Sequence, residues 1–231
     1  MNYQTYRFQT LPSTQDFLRE KRSEGQNALA VAGAQTQGKG TKGRAYACAE
    51  GGLWLSFLLF PEGVRAKDAF LMMSRAAVAV CKMIEEYGLQ PQIKWANDVL
   101  LGGKKVSGIL TENVFSGQEL CSTLWGIGLN VNNSLPVELQ PIATTLSACL
   151  GERLNLAEVE EKLLRHLQAP FDFSQYQQRM AYVGETVRFC VGDTSFSAKL
   201  IGVTERGGLL LQREEKTEEF AYGEIAFSKA D

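Results

Sequence analysis

Apolar residues along the chain fall into short runs and helical stripes that predict alternating strands and helices. Near the start, Ser13 followed three residues later by Asp16 resembles a capping box, which predicts a helix that ends near Gly25. Apolar runs over residues 29–34 and 51–60 predict two buried strands. The first quarter of the chain therefore predicts one helix and two strands of a sheet.

The middle of the chain predicts a long helix followed by strands that are joined by tight turns. Apolar residues recur near helical spacing from residue 67 to residue 87, and Gly88 ends the pattern. Four apolar segments follow, separated by polar or glycine turns: residues 93–95, 99–101, 104–115 and 120–131. Strands with such short connections pair antiparallel, so we predict an α+β fold with a mostly antiparallel sheet and helices on one face.

The last third of the chain changes from a helical pattern to a pattern of short strands. An amphipathic helix is predicted over residues 156–167, with Leu156, Val159, Leu163 and Leu167 on one stripe. From about Gly184, glycine turns and a charged stretch at 214–219 separate short strands at 187–189, 196–201, 209–211 and 225–227, which predicts a small barrel. With 231 residues, and about 150 residues in a typical domain, we expect a domain over residues 1–182 and a small one over 183–231.

The charge balance argues against a generally basic nucleic-acid binder. Lysine and arginine number 24 against 26 aspartate and glutamate residues, which gives a net charge of −2. Residues 1–10 lack the apolar core of a signal peptide, and no window approaches the roughly 18 uninterrupted apolar residues of a membrane span. We therefore expect a soluble, cytoplasmic protein.

Cysteine and histidine residues are too scattered or too few to build a metal site of their own. The five cysteines contain no CxxC pair and are interpreted as reduced, buried thiols; they are Cys48, Cys81, Cys121, Cys149 and Cys190. The single histidine, His166, lies in a predicted helix far from every motif, so we expect it near the surface. No serine or cysteine has a base at hand, so we expect chemistry without a covalent enzyme intermediate.

The strongest local signal is a glycine-rich basic loop after the first predicted strand. Residues 35–44 read Gln-Thr-Gln-Gly-Lys-Gly-Thr-Lys-Gly-Arg. Glycines allow backbone N–H groups to approach an anion, and Lys39, Lys42 and Arg44 supply positive charge. The loop is neither a dinucleotide fingerprint nor a P-loop, because a strand follows it and no Gly-Lys-Ser/Thr ends it. A flexible, solvent-facing connector is the alternative.

Three further segments carry polar residues or glycines at strand positions. Lys94-Trp95-Ala96-Asn97-Asp98 offers a cation, an amide and a carboxylate to a nucleotide, although Asn-Asp is also a common turn pair and Trp95 suits a core. Gly108 marks a close approach within a strand, whereas the two lysines that begin the strand also suit a solvated edge. Gly126 and Gly128 clear a strand face for a flat ring with Asn130 at its edge; a bulge or tight packing is the alternative.

The order and spacing of five segments resemble those of the biotin protein ligases (biotin-[acetyl-CoA-carboxylase] ligases). The segments are Ser13-Thr14-Gln15, residues 35–44, residues 94–98, Lys105-Val106-Ser107-Gly108-Ile109-Leu110 and residues 126–130. The resemblance spans the chain and implies a class II synthetase-like catalytic domain followed by a small SH3-like C-terminal barrel. It also implies two steps: biotin and MgATP give biotinyl-5'-AMP and pyrophosphate, and a lysine of a biotin carboxyl carrier protein then takes the biotinyl group.

The resemblance implies roles for individual residues by their position. Lys105, Lys94 and Asp98 are the implied catalytic residues, and Asp98 is also the implied metal ligand. The implied biotin contacts are Ser13, Thr14, Gln15, Gln35, Gly38, Lys39, Gly40, Thr41, Lys105 and Gly108. The implied ATP and adenylate contacts are Lys39, Lys42, Arg44, Trp95, Asn97, Lys105, Gly126, Gly128 and Asn130. Cations and backbone N–H groups suit this reaction, which needs no histidine.

Two departures from the family pattern change the expectations. The family loop reads G-R-G-R-x-G-R, whereas Lys39 and Thr41 replace its first two arginines here, so we expect weaker retention of the adenylate. Only twelve residues precede Ser13, so we expect no N-terminal DNA-binding domain and no DNA partner.

Other functions and assemblies stay open on the sequence alone. Lipoate-attaching enzymes share the fold and a parallel chemistry, although the KW-x-ND and K-x-x-GIL segments favour biotin. A non-catalytic biotin or nucleotide sensor would explain Thr41 as a sign of lost activity. A homodimer in which a strand such as residues 120–131 pairs across the interface is a further option. We expect the C-terminal barrel to orient the carrier or to close over ATP.

Overall fold

A seven-stranded sheet forms the larger part of the molecule. The computed structural model describes residues 2–228. The strands are β1 (Gln4–Leu11), β2 (Ala28–Gln35), β3 (Leu53–Leu59), β4 (Gln92–Lys94), β5 (Asp98–Leu101), β6 (Lys104–Ser116) and β7 (Glu119–Leu129). They lie in the order β1-β2-β3-β7-β6-β5-β4, and among these described pairs only β1 and β2 run parallel. The prediction of a mostly antiparallel sheet in an α+β fold is confirmed.

Helices lie on both faces of this sheet, with the two longest on the same side. The helices are α1 (Thr14–Glu20), α2 (Ala69–Glu85), α3 (Leu146–Leu150), α4 (Leu156–Gln168) and α5 (Ser174–Gln177). Side chains alternate along β2: Leu29 and Val31 join α2 and α4 in the main core, whereas Ala28 and Ala30 pack with Leu18 of α1. The predicted helical face carries α2 and α4, and the short α1 lies on the opposite face.

Helix α1 begins at the residue that the sequence predicts. The Ser13 hydroxyl oxygen accepts a hydrogen bond from the Asp16 backbone N–H at 3.2 Å, which satisfies one of the free N–H groups at the helix start. A 3-10 turn over Lys21–Glu24 continues the helix to Gly25. The φ of Gly25 is 67°, a left-handed conformation that glycine adopts at little cost and that ends the helix.

A second, smaller sheet follows the helices. Its strands are β8 (Thr186–Val191), β9 (Thr194–Val203), β10 (Leu209–Arg213), β11 (Lys216–Phe220) and β12 (Ala226–Phe227), in the antiparallel order β11-β10-β9-β8-β12. The charged stretch at 214–219, predicted as a separator, contains most of β11, so that prediction is wrong. Charged residues suit β11 because it is an edge strand with mostly exposed side chains.

Two strands of the large sheet differ from what the sequence predicts. Residues 4–11 form the edge strand β1, which the pattern misses because half or more of its side chains are exposed. Strand β7 lies inside the sheet, paired with β3 on one side and β6 on the other. An interior strand has no free edge, so β7 itself has no edge at which a second copy could pair, and a homodimer through another surface stays an open option.

The two sheets share one buried core. The Trp95 indole N–H donates a hydrogen bond to the Gly207 carbonyl oxygen at 3.1 Å, and the Tyr222 ring meets the Trp95 ring edge-on at 5.7 Å. Phe189 and Leu200 of the small sheet belong to the same apolar cluster as α2 and the large sheet. We keep the division between residues 182 and 183 as a proposed domain boundary within this continuous core.

The cysteines differ in exposure more than the sequence predicts. All five are free, and Cys48 and Cys81 are buried as expected, but Cys121 and Cys149 are exposed. The expectation of buried thiols is therefore wrong for these two, which lie in strand β7 and in helix α3. No described helix has the length and apolar character needed to cross a membrane.

Candidate functional site

A pocket opens on the face of the large sheet that carries α1. It lies between α1, the glycine-rich loop and the strands β3, β6 and β7. Twelve of the predicted site residues line it: Ser13, Thr14, Gln15, Gln35, Lys39, Gly40, Thr41, Asn97, Lys105, Gly108, Gly126 and Gly128. The fold thus brings residues of all five sequence segments to one place.

One end of the pocket is a cluster of buried hydrogen-bonding groups. Gln35 Oε1 accepts hydrogen bonds from the Thr14 backbone N–H at 2.6 Å and from Thr14 Oγ1 at 3.0 Å. Ser56 Oγ lies 2.7 Å from Thr14 Oγ1, and Gln35 Nε2 donates to Cys48 Sγ at 3.0 Å. Hydroxyl and amide groups can both donate and accept further hydrogen bonds, so this end suits a small ligand with both donors and acceptors.

The other end of the pocket is positively charged around Lys105. Its Nζ pairs with Asp98 Oδ1 at 2.6 Å and lies 5.4 Å from the centre of the Tyr46 ring. A Cβ at position 108 would lie 2.9 Å from the Lys105 Nζ. Gly108 therefore gives the ammonium group room to lie across strand β6, which is the close approach that the glycine predicts.

Asn97 also lines the pocket and is fixed to strand β6. Its Nδ2 donates a hydrogen bond to the Ile109 carbonyl oxygen at 2.6 Å, and the Ile109 N–H donates to the Asn97 carbonyl oxygen at 2.9 Å. This double contact holds the turn that connects β4 to β5. Asp98, at the start of β5, is thereby held beside Lys105.

An aromatic ring of the protein itself lies on the strand glycines. A Cβ at Gly128 would lie 2.6 Å from Tyr46 Cε1, and a Cβ at Gly108 would lie 3.2 Å from Tyr46 Cε2. The Tyr46 hydroxyl donates to the Gly128 carbonyl oxygen at 3.1 Å, and burial raises the pKa of the phenol, so it stays protonated. The glycines do clear a face for a flat ring, and in this structure that ring is Tyr46.

The glycine-rich loop lies at the pocket mouth and is folded back on itself. The Gly40 N–H donates to the Arg44 carbonyl oxygen at 2.7 Å, and the Tyr46 N–H donates to the Gly38 carbonyl oxygen at 2.9 Å. Thr41–Gly43 forms a single 3-10 turn, and Gln35, the first residue of the predicted loop, ends strand β2. A Cβ at Gly38 would collide with the Tyr46 carbonyl oxygen, so this glycine serves the folding of the loop.

Several predicted site residues do not reach the pocket. Outside its lining lie Gly38, Arg44, Lys94, Trp95, Asp98 and Asn130, and the side chain of Lys42 lies outside the described residues. Trp95 is buried against the small sheet, and Lys94 Nζ lies 5.1 Å from the Phe227 ring of that sheet. Asn130 is buried, and its Oδ1 accepts a hydrogen bond from Asn133 Nδ2 at 3.1 Å, so its amide holds a turn instead of facing a ligand.

Several pocket residues were missed by the sequence prediction. They are Tyr46, Cys48, Leu55, Ser56, Ile109, Leu110 and Ile127. Ser56 carried a usable signal, because it is the one polar side chain in the fully buried strand β3. Tyr46 and Cys48 follow the glycine-rich loop directly, but only the fold shows that this segment turns back over β6 and β7.

The Cys48 thiol in the pocket is unsuited to nucleophilic attack. Burial raises its pKa to about 11, although the hydrogen bond from Gln35 opposes the shift. A neutral thiol is a weak nucleophile, and this one donates to the Tyr46 carbonyl oxygen at 3.4 Å. The lone imidazole is elsewhere: His166 lies on α4 with Nε2 2.6 Å from Glu86 Oε1, which confirms its peripheral position.

Asp98 is the carboxylate that the sequence assigns to a metal ion. Its Oδ1 is paired with Lys105, so the carboxylate supports the pocket lysine in this structure. Mg²⁺ at nucleotide sites is typically held by one or two carboxylates together with phosphate oxygens. Among the described residues no group of three or more metal-binding side chains is found, so a magnesium ion here would have to arrive with a nucleotide.

Comparison with known protein families agrees with this arrangement. Residues 7–131 match the model described as the biotin/lipoate A/B protein ligase family. Residues 182–228 match the model described as the biotin protein ligase C terminal domain. The first match covers more than half of the chain and contains all five segments that meet at the pocket.

Individual proteins are similar to four fifths or more of the chain. The bifunctional ligase/repressor BirA of Bacillus subtilis is 36% identical over 210 residues, which are 82% of this chain and 63% of that protein. A biotin--[acetyl-CoA-carboxylase] ligase of Paracoccus denitrificans is 28% identical, over 80% of this chain and 84% of that protein. The biotin protein ligase from Aquifex aeolicus in complex with biotin and ATP has a TM-score of 0.80 at 30% identity, covering 98% of this chain and 99% of that chain.

Proposed function

This chain belongs to the biotin/lipoate A/B protein ligase family, and from that premise we propose that it is a biotin protein ligase. Biotin reacts with ATP, taken up as its Mg²⁺ complex, to give biotinyl-5'-AMP and pyrophosphate. The biotinyl group then passes to a lysine of a biotin carboxyl carrier protein, and AMP is released. The observation that carries the proposal is one pocket with a hydrogen-bonding end at Thr14 and Gln35 and a cationic end at Lys105.

The first step joins two anions, so its barrier is mainly electrostatic. A biotin carboxylate oxygen attacks the α-phosphorus of ATP, and the bond from that phosphorus to the bridging oxygen breaks as pyrophosphate leaves. The Lys105 ammonium neutralises the carboxylate and the phosphoryl oxygens as they approach, and Asp98 positions that ammonium. Asp98 would also offer a carboxylate to a Mg²⁺ ion that arrives with the nucleotide. Lys39 and the backbone of Gly40 border the same space from the loop.

The second step needs positioning more than acid-base chemistry. The amine of the carrier lysine attacks the acyl carbon of the mixed anhydride, the bond from that carbon to the phosphate oxygen breaks, and AMP leaves. The lysine loses its proton to solvent. Water competes with the amine for the activated acyl group, so the loop that lies over the pocket mouth has a physical purpose in this step.

The polar end of the pocket favours biotin over lipoate. A biotin headgroup carries two ureido N–H donors and a carbonyl acceptor, which complement the amide of Gln35 and the hydroxyls of Thr14 and Ser56. The lipoate headgroup is a dithiolane without N–H or O–H groups. It offers no N–H or O–H group to Gln35, Thr14 or Ser56, so it would gain none of the hydrogen bonds that a biotin headgroup makes there.

One transfer experiment tests the proposal against its alternatives. The protein is incubated with MgATP, an apo carrier domain, and either labelled biotin or labelled lipoate, with a carrier whose acceptor lysine is changed to arginine as the control. We expect ATP-dependent label on the carrier with biotin alone, and pyrophosphate release. Transfer of lipoate instead would assign a lipoate ligase, and biotin binding without pyrophosphate release would assign a sensor; either result contradicts the proposal.

A further inference from the structure

The first lysine of the glycine-rich loop is held by a carboxylate of helix α1. Lys39 Nζ lies 2.8 Å from Asp16 Oδ1 and 2.7 Å from Asp16 Oδ2. The sequence predicts that the Lys39 ammonium faces a phosphate. It does not predict a contact between Lys39 and Asp16. In the structure the Lys39 ammonium instead joins the loop to the helix that forms the opposite wall of the pocket.

Asp16 is itself part of a chain of alternating charges that ends on the large sheet. Arg19, one turn along α1, also pairs with Asp16. The Arg19 guanidinium makes a two-point contact with Glu112 of β6, at 2.9 Å and 2.6 Å. Although burial opposes the change, hydrogen bonds from Lys39 and Arg19 lower the pKa of Asp16, so the carboxylate is charged at neutral pH. The order of charges from loop to sheet is positive, negative, positive, negative.

The position of this charge chain suits control of the pocket mouth. Lys39, Gly40 and Thr41 line the pocket from the loop, whereas Thr14 and Gln15 line it from the first turn of α1. The base of the loop is fixed to the same helix start, because the Gln37 N–H donates to the Pro12 carbonyl oxygen at 2.9 Å. The Lys39–Asp16 pair adds a second attachment nearer the loop tip, and it spans the gap between the two walls.

The energy scale of this attachment suits a contact that opens and closes. Both side chains are partly exposed, 44% for Lys39 and 27% for Asp16, and solvent screening keeps such pairs weak. A weak pair of this kind changes the lifetime of a closed loop by less than about tenfold and leaves the fold intact. Arg19, itself paired with Glu112, holds the Asp16 carboxylate in place. The carboxylate therefore does not need to become ordered each time the loop closes and Lys39 approaches.

We propose that Asp16 is a positioning residue that acts through Lys39 to hold the glycine-rich loop closed over the pocket. The identity of the retained ligand, biotin or its adenylate, rests on the proposed function. The loop attachment itself does not, because it rests on the contact between Lys39 and Asp16. Asp16 thus sets how long the pocket stays shut, and it does so by a salt-sensitive contact.

The test compares Asp16→Asn with Glu20→Gln, which removes an equal charge from an exposed position of the same helix. In the ligand-free protein at low salt, hydrogen exchange of residues 36–45 should be about two- to fivefold faster in Asp16→Asn than in Glu20→Gln. Biotin dissociation from the wild type and the two variants should follow the same order. The differences in loop exchange and in biotin dissociation should both shrink in high salt. Salt screens the Lys39–Asp16 pair, which is intact in the wild type and in Glu20→Gln.

Two further variants keep the test decisive. Asp16→Glu retains the charge and should restore slow exchange in the loop, whereas a purely structural role of the aspartate would not be rescued by a longer side chain. Lys39→Gln should speed loop exchange as much as Asp16→Asn does, and combining the two changes should add little, because both remove the same pair. Equal loop exchange in Asp16→Asn and Glu20→Gln would overturn the proposal. A wild type that fails to bind biotin would instead overturn the proposed function, and the exchange comparison would still decide the role of Asp16.

Discussion

Lys105 is the single residue on which the proposed chemistry depends most. Its ammonium group lies 2.6 Å from the Asp98 carboxylate at the cationic end of the pocket, where two anions have to meet. Removing one preorganised charge of this kind typically costs about a hundredfold or more in rate. We predict that Lys105→Ala lowers biotin-dependent pyrophosphate release at least about a hundredfold.

The neighbouring lysine provides the control for this change. Lys104 is exposed and donates to the Gln140 carbonyl oxygen at 2.9 Å, outside the pocket lining. Lys104→Ala should therefore keep most of the activity, and circular dichroism should show both variants folded. Substantial adenylate formation by Lys105→Ala would contradict the role assigned to Lys105.

Thr41 sits at the pocket mouth where the family pattern has an arginine. Threonine lacks the planar, charged fork with which arginine holds a phosphate, so the adenylate should leave this protein more easily. We predict that Thr41→Arg slows the release of biotinyl-5'-AMP, measured as the dissociation rate of labelled adenylate. Thr36→Arg adds the same charge to an exposed loop position and should leave the rate unchanged. Equal release from the wild type and Thr41→Arg would refute this reading of the loop.

The place of a site residue was predictable where a sequence motif fixed its backbone position. It was not predictable where the direction of the side chain decides whether the residue reaches the pocket. Gln35, Lys105 and Gly128 meet at the pocket because their backbone positions follow from strand order. Lys94 and Trp95 lie in the same motif as Asn97, yet both are directed to the small sheet. The pattern of strands in a sequence does not predict which of two neighbouring elements a side chain will contact.

At the scale of elements, the glycines of the two central strands of the pocket form a flat surface beneath Tyr46, which we call the glycine floor. In β6 and β7, Gly108 and Gly128 are register partners, and the Tyr46 ring rests on both. We predict that Gly128→Ala lowers adenylate formation about tenfold or more, because its Cβ would lie 2.6 Å from the Tyr46 ring and such overpacking costs about 1–3 kcal/mol.

A glycine in the small sheet offers a matched control for this substitution. A Cβ at Gly202 of β9 would meet no atom within 4 Å among the described residues. Gly202→Ala should therefore leave adenylate formation at the wild-type rate, in the same pyrophosphate-release assay. Equal activity of the two alanine variants would show that the glycine floor does not shape the site.

Elements with a strong apolar period were predictable, and those with an exposed, polar surface were not. Strands β2 and β3 and helix α2 follow apolar runs that leave few alternatives. Strands β1 and β11 lie at sheet edges, where their polar side chains meet water and give no periodic signal. Edge strands form because a neighbouring strand offers hydrogen bonds, and that neighbour is far away in sequence for β1.

At the scale of the whole molecule, the small sheet is packed into the same core as the large one. Trp95, which follows β4, donates its indole N–H to Gly207 and meets the Tyr222 ring. Ending the chain after Tyr182 would expose this tryptophan and the apolar residues around it. We predict a clearly lower melting temperature for that truncated chain, and a single unfolding transition for the full chain, by calorimetry.

A milder variant tests the same contact without removing the sheet. Trp95→Phe keeps an apolar ring but loses the N–H donor, so it should cost about 1 kcal/mol in the free energy of unfolding. A truncated chain that melts and reacts like the full chain would contradict a shared core. Loss of activity with an unchanged melting temperature would instead assign the small sheet a direct part in substrate or carrier binding.

The overall fold could be predicted more completely than the contacts between side chains inside the site. The fold class and the convergence of five segments followed from strand pattern and from the resemblance of those segments to a family. The Lys39–Asp16 pair and the Tyr46 ring on the glycine floor did not, because each joins segments whose distance depends on how a loop folds back over a sheet. Such contacts are set by tertiary packing and carry no local signal.

The most direct test of the central claim is biotin-dependent exchange of labelled pyrophosphate into ATP, measured without any carrier protein. Formation of biotinyl-5'-AMP is reversible on the enzyme, so the label enters ATP only if the first step occurs in the pocket. The account predicts exchange by the wild type with biotin present, none without biotin, and none by Lys105→Ala. Absence of exchange with biotin, or exchange supported by lipoate instead, would contradict it.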